Sequence, residues 1–256
     1  MKVTVLGSGT SQGIPVIGCH CKVCKSNDLK DKRYRSSIMI EINNKRIIID
    51  TGPDFRTQIL RANIDSIRAI LITHEHKDHL GGLDDVRAFN YYQDKDNLGV
   101  DVFASKRTSK VIKNDFAYAF TEHKYPGVPE IKLHIIDDCP FYIDDIKITP
   151  IPIMHFKLRI YGYRIGDFAY ITDGSYIPEE SMELLKGTKT LIINALRKEP
   201  HPAHFCLNEA LGIIETLNVE HAYLTHIGHQ MGLYKEVSKG LPANVDLAYD
   251  TQEIII

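Results

Sequence analysis

The sequence predicts an α/β protein with two sheets and helices outside them, and three observations lead there. Short apolar runs alternate with helix-period patterns along the 256 residues. Several runs stop abruptly at a His or an Asp, as in layered α/β folds that carry their chemistry on loops at strand ends. The clearest helical pattern begins at Asn208 and sets Ala210, Ile213, Ile214 and Leu217 on one face.

Strands are expected at 2–6, 37–42, 46–49, 67–72, 98–103, 131–136, 146–151, 160–165, 168–172, 190–193, 221–224 and 252–256. Pro150 and Pro152 assign the run leading to His155 to a sheet edge or an extended loop. Further helices are expected at about 54–62, 105–120 and 178–186. No low-complexity linker or repeat interrupts the chain, so residues 1–256 read as a single domain, with a Cys-rich loop at about 18–25.

Composition is that of an ordinary globular enzyme: 43% hydrophobic, 25% charged and a net charge of -2, which excludes a generally basic nucleic-acid surface. The N-terminus reads as a strand and not as a signal peptide, and no run is long enough for a membrane span. Five cysteines, three of them clustered, fit metal binding in a reducing cytoplasm better than a disulfide framework. The expected setting is therefore cytoplasmic, with no membrane partner and no extended nucleic-acid surface. A homodimer is compatible with this surface, although no interface pattern stands out.

The most informative segment is His74-Glu75-His76-Lys77-Asp78-His79, which follows the apolar run 67–72. Four metal-capable side chains in six residues mark a catalytic metal loop, because imidazole and carboxylate together suit borderline divalent cations. Other strand-like runs deliver His155, Asp173, His226 and Asp50. With these residues in order, the chain resembles the metallo-β-lactamase-fold hydrolases, whose signature is H-x-H-x-D-H followed by a His, an Asp and a final His. The resemblance spans the whole chain and implies a four-layer αββα sandwich. It also implies a two-metal centre of Mn or Zn, with His74, His76 and His155 on one ion, Asp78, His79 and His226 on the other, and Asp173 bridging. Asp50 is a candidate for holding a metal-bound imidazole through its second N–H, or else a turn residue.

Cys19, Cys21 and Cys24 form a C-x-C-x-x-C array that suits one soft-ligand metal and is awkward for pairwise disulfides. Its fourth donor is His20 or His229, with His229 the better candidate. Resemblance to the PhnP-type cyclic-phosphate phosphodiesterases implies that His229 completes a structural zinc site. Such a closed site would tie the N-terminal loop to the loop carrying His226.

Substrate class rests on the segment 195–207. Arg197 could bind a substrate phosphate through a bidentate contact, whereas Lys198 reads as a solvated loop charge. His204 matches a His that serves PhnP-like and ribonuclease Z-like phosphodiesterases as general acid, with His201 the competing residue. Cys206 departs from the family pattern, so Asn208 is expected to take the helix cap. The aromatic segment 116–127 reads either as a lid or as core packing, and the basic stretch 105–113 as a solvated helix face.

The expectation is a phosphodiesterase acting on a small, in the first instance cyclic, phosphate ester of a nucleotide or phosphorylated sugar. Water is activated at the dinuclear centre, Asp78 and His204 are the catalytic residues, and Arg197 binds substrate. One alternative is a ribonuclease Z-like RNA-processing nuclease. The other, of a different class, is a PqqB-like non-catalytic metal-binding or biosynthetic accessory protein.

Overall fold

The computed structural model describes residues 1–92 and 99–256. The chain forms two compact units, one from residues 1–6, 37–137 and 253–255 and the other from 7–36, 138–252 and 256. Among the described residues there are two seven-stranded sheets, mixed with helices, which is the α/β class that the sequence predicts.

The first sheet contains β1 (Lys2–Gly7), β2 (Ser37–Ile42), β3 (Lys45–Ile49), β4 (Ala69–Leu71), β5 (Val100–Ser105) and β6 (Ile131–Ile136) in that order. The last strand of the chain, Glu253–Ile255, pairs antiparallel with β1 at the edge. A two-residue turn joins β2 to β3, with Asn43 and Asn44 both at positive φ, a conformation that Asn tolerates. From β3 onward the strands are parallel, which requires crossovers. These carry α1 (Phe55–Arg61), α2 (Lys77–Leu80), α3 (Arg87–Tyr92) and α4 (Lys106–Asp115). Ile48, Ile70 and Val102 pack with Phe55, Leu80 and Ile112 into one core, while Ile47, Ile49 and Leu71 are equally buried on the opposite face. Burial on both faces explains why these strands read as continuous apolar runs rather than alternating ones.

The second sheet contains β7 (Phe141–Ile143), β8 (Ile146–His155), β9 (Leu158–Ile165), β10 (Phe168–Ile171), β11 (Thr190–Asn194), β12 (His221–Thr225) and β13 (Val245–Leu247), again in chain order. Pairing is antiparallel from β7 to β10 and parallel from there to β13. The parallel crossovers carry α5 (Glu179–Leu185), α6 (Leu207–Leu217) and α7 (Tyr234–Val237). Ala210 and Ile214 of α6 are buried on a core with Ile151, Ile171, Leu191 and Leu224, while Ile213 and Leu217 pack at its margin, as the helical period predicts.

Several expectations are corrected. The strand with Pro150 and Pro152 is not at the edge of the strand order, since β7 lies outside it. Yet β7 pairs only with Ile146–Ile148, so the two prolines lie past its reach and meet β9 alone, opposite Tyr163 and Tyr161. The prolines thus occupy a local edge, where a missing N–H costs no ladder bond. The expected strand 67–72 narrows to β4. The expected strand 98–103 appears two residues later as β5, and residue 98 lies outside the described residues. Two three-residue strands, β7 and β13, escaped the sequence reading because runs so short have no resolvable period.

The expected helix 105–120 divides into α4 and a 3₁₀ turn, Ala117–Phe120. Phe116 and Ala119 are buried there, and Tyr118 and Phe120 pack against the same core, so these aromatics of the expected lid are core. Lys106, Arg107, Lys110 and Lys113 lie on the solvated face. Asn208 does not cap α6. Cys206 holds that position, and its N–H donates to the Glu209 carboxylate at 2.8 Å. Among the described residues no helix is long and apolar enough to cross a membrane.

Candidate metal centre

In the first unit, β4 leads into the metal loop. The Asp50 carboxylate, just past β3, accepts the Thr73 N–H at 2.8 Å and its hydroxyl at 2.9 Å. Having given its proton to Asp50, the Thr73 hydroxyl can only accept from His74 Nδ1, 2.9 Å away. That assignment leaves His74 with a lone pair on Nε2, 3.0 Å from His76 Nδ1. Two imidazole donors on one tetrahedral cation stand roughly 3.3 Å apart, so the pair is close to a chelating geometry.

Asp50 also accepts from His79 Nδ1 at 2.7 Å, turning His79 Nε2 toward the Asp78 carboxylate at 3.1 Å. Asp50 is fully buried, which pushes its carboxyl above the usual carboxylate range against the opposing pull of His79 and Thr73. Of the two readings of Asp50, the structure supports the orienting one. Glu75, inside the motif, is bound by Thr108 Oγ1 at 3.0 Å and Arg107 Nη2 at 2.9 Å, which ties the loop to the start of α4.

The second unit gathers His155, Asp173, His204 and His226. At the end of β8, His155 donates Nδ1–H to the Ala203 carbonyl at 2.7 Å, which leaves Nε2 as the atom that could take a metal, 4.0 Å from the Asp173 carboxylate. His226 Nδ1 lies 2.9 Å from Asp173, and its Nε2 lies 3.2 Å from Thr10 Oγ1. The His204 ring stacks on His226 at 5.0 Å and is 4.7 Å from His155. His155, Asp173 and His204 each bring one donor atom within 4.8 Å of the others. His204 Nδ1 is buried without a hydrogen-bond partner, 4.0 Å from Asp173, and an orphaned donor of that kind is what a metal or ligand site leaves in its absence. The donor sets of both units therefore fit divalent metal chemistry.

The backbone explains how strand ends aim these groups. Asp50, Asp173 and His226 have φ of 66°, 59° and 54°, each just past a strand, in a left-handed region that non-glycine residues seldom enter. The turn swings each side chain out of the pleat. Sequence reasoning missed the supports of this geometry: Thr10, Ser36, Thr172 and Asn194. Asn194 is fully buried at the end of β11, accepts the Gly174 N–H at 2.7 Å and donates to the Gly174 carbonyl at 2.9 Å, fixing the residue after Asp173. Its one sequence signal is that it closes the apolar run 190–193, which by itself does not set it apart from an ordinary strand end. Asn194→Ala should cost about 1–3 kcal/mol by leaving the buried Gly174 N–H unpaired, while the Gly174 carbonyl keeps the Phe205 N–H at 2.7 Å, measured as a fall in the urea midpoint at unchanged slope.

At the Cys-rich loop, His229 Nδ1 lies 3.2 Å from Cys19 Sγ and 3.5 Å from both Cys21 Sγ and Cys24 Sγ. Sulfur and nitrogen on one tetrahedral zinc stand roughly 3.5 Å apart, so this set fits that ion. His20 is exposed and lies outside this group of four. The backbone N–H of Cys24 and the neighbouring groups push the Cys21 thiol down to about 6, while burial pushes Cys24 up to about 11.

Arg197 donates from Nε to the Glu199 carbonyl at 3.2 Å and from Nη2 to the Pro200 carbonyl at 2.8 Å, so part of its fork is turned into its own loop. Lys198 is exposed, as its solvated reading predicts. His201 is half-buried, its Nδ1 accepts the Ala203 N–H at 3.2 Å, and burial together with Arg197 pushes it below the ordinary imidazole value.

A family model described as a β-lactamase superfamily domain matches residues 45–227. Among solved structures, a diphosphatase from the PhnP family superposes with a TM-score of 0.93 at 41% identity, covering 100% of this chain and 97% of that one. An octanoyltransferase of Porphyromonas gingivalis is 41% identical over 259 residues, all of this chain and 52% of that protein. A ribonuclease Z of Nostoc punctiforme is 26% identical over 169 residues, 65% of this chain and 47% of that protein. The chain thus spans about half the length of these curated relatives.

Proposed function

Starting from a chain that belongs to the β-lactamase superfamily and, within it, to the PhnP family, we propose a phosphodiesterase that hydrolyses a small cyclic phosphate ester of a nucleotide or phosphorylated sugar. The protein is a metal-dependent hydrolase, and its fold generally binds a dinuclear zinc or manganese centre. The finer assignment is the ligand division expected from the motif order: His74, His76 and His155 for one ion, Asp78, His79 and His226 for the other, and Asp173 shared. Cys19, Cys21, Cys24 and His229 would hold a separate structural zinc. When bound, a pair of divalent cations supplies charge neutralisation at the phosphoryl oxygens and lowers the pKa of water.

The chain's own residues do the rest. Asp50 and the Ala203 carbonyl fix the tautomers of His79 and His155, so that each presents Nε2. Asp78, whose carboxylate faces His79 Nε2, is both ligand and catalytic residue in this reading. Arg197 adds positive charge near His201 rather than a dedicated phosphate fork. His204 protonates the leaving oxygen. Burial, and then His226, push its imidazole down to about 3, so it is neutral until an anion arrives. A bound phosphate ester is such an anion and favours the protonated ring that a general acid must have.

The orphaned, buried His204 Nδ1 beside Asp173 is the observation that carries this reading. The test uses protein stripped of metal and reloaded with Mn or Zn, against a 2′,3′-cyclic nucleotide, an aryl phosphodiester and a diphosphate diester. Metal-dependent turnover is expected. His204→Ala should lower kcat by about 10²–10⁴ for the cyclic nucleotide and far less for the aryl ester, whose leaving group needs no proton. Equal loss on both would remove His204 as the acid. Metal binding without turnover on any ester would favour the accessory-protein reading, and cleavage of precursor tRNA alone the ribonuclease Z reading. The octanoyltransferase name describes a protein of which this chain spans 52%, and it does not carry over by itself.

A further inference from the structure

Two large aromatic side chains stand exposed next to the donor cluster of the second unit. Phe156 directly follows His155 and is 58% exposed, and Tyr176 lies three residues after Asp173 and is 60% exposed. Neither contributes to the core, and both are held in place. Phe156 is the first residue of the two-residue turn between β8 and β9, at φ 53°, where Gly or Asn is the ordinary occupant. A bulky residue in that conformation costs energy, and an observed outlier of this kind beside a site is a reason to look for a function.

Hydrogen bonds pin both residues. The Phe156 N–H donates to Ser175 Oγ at 2.8 Å, and Ser175 Oγ donates to the Met154 carbonyl at 3.0 Å. Met154 and Tyr176 exchange backbone hydrogen bonds of 2.9 and 3.3 Å. The loop leaving Asp173 is thereby stitched to the turn leaving His155, so the two exposed aromatic residues stand on adjoining backbone, one residue past His155 and three past Asp173. Lys157, the other turn residue, sets its ammonium 5.4 Å from the Phe156 ring centroid.

We propose that Phe156 and Tyr176 form a stacking shelf for the base of a nucleotide ester whose phosphate is held at the His155–Asp173–His204 cluster, with Lys157 adding positive charge beside it. This rests on the phosphoesterase reading and selects the nucleotide over the phosphorylated sugar. A purine or pyrimidine offers a π-face to a rigid aromatic ring whatever its edge pattern, and such contacts are worth about 1–3 kcal/mol per base. The charge pattern matches the ligand: cationic and imidazole groups for the phosphate, and exposed rings beside them for the base.

The experiment compares 2′,3′-cyclic AMP with glycerol 1,2-cyclic phosphate, which has the same five-membered ester and no base, on the metal-loaded enzyme. Phe156→Gly removes the ring and suits the turn, so its folding is not at risk, and Tyr176→Ala is the companion variant. The ratio of kcat/KM between the two esters should fall about ten-fold in either variant, mainly through KM for the nucleotide. Calorimetric titration with AMP and ribose 5-phosphate gives a second readout: wild type should bind AMP about ten-fold more tightly, and the variants should lose that preference. An unchanged ratio, or wild-type protein that binds the two phosphates equally, overturns the shelf. If neither ester is hydrolysed the phosphoesterase reading falls, and the AMP and ribose 5-phosphate affinities still decide the shelf.

Discussion

Asp173→Ala is expected to reduce phosphodiester turnover by at least about 10³-fold and to lower the bound metal per chain, while the protein stays folded. Asp173 supplies the carboxylate of a cluster whose other members are imidazoles. One oxygen faces His226 Nδ1 at 2.9 Å and accepts the Thr172 hydroxyl at 2.7 Å, and the other lies 4.0 Å from both His155 and His204. Without that negative charge, Asp78 would be the one carboxylate left among the proposed ligands of two cations, and affinity falls. Asp173→Asn separates the causes, because it keeps volume and hydrogen bonding but removes the charge. Metal content by plasma emission and turnover of 2′,3′-cyclic AMP check the prediction together. A variant that retained its metal and more than about a tenth of the activity would show that Asp173 does not hold the centre.

The same residue shows what a sequence can and cannot tell. Asp173 was legible because an apolar run that ends in a carboxylate is unusual, and because it falls in order among six other metal-capable residues. The α/β class was legible for a related reason: strands buried on both faces, such as β3 and β10, leave uninterrupted apolar runs. The left-handed turns at Asp50, Asp173 and His226 were not legible, since no residue there is a glycine and the strain is carried by surrounding hydrogen bonds. Asn194 and Thr172 went unread for want of a second feature, as a lone polar residue at a strand end is ordinary. His229 was preferred to His20 for its place three residues after His226 and through resemblance, since the contact itself spans more than 200 positions and has no local signal. For Arg197 the cation was legible but its partners were not, since the sequence does not reveal that loop carbonyls take up part of the guanidinium.

Asp250→Ala should be among the most destabilising single substitutions in the chain, at a cost of about 3–5 kcal/mol, although Asp250 belongs to no motif. Asp250 accepts the Ser8 N–H at 2.9 Å, the Ser8 hydroxyl at 2.8 Å and the Tyr34 N–H at 2.8 Å. The Ser8 hydroxyl in turn accepts from the Arg33 guanidinium at 2.7 Å, which also donates to the Ala248 carbonyl. Arg33 is only 4% exposed, and burial pulls it down to about 10 against the opposing charge of Asp250, so it remains a cation at neutral pH. Removing the carboxylate takes from that buried cation the larger of its counter-charges, with Asp31 remaining, and takes the Asp250 acceptor from two backbone N–H groups. The network fastens the residue 8–36 segment, which carries Thr10 and Ser36, both in contact with His226, as well as the Cys cluster. Damage there should therefore reach both metal sites. Urea unfolding at fixed metal concentration measures the loss, and the double variant Asp250→Ala/Arg33→Met tests its cause. If the penalty is an uncompensated buried charge, the double variant will be more stable than Asp250→Ala alone. If the two losses simply add, the network acts through packing and the electrostatic account is wrong.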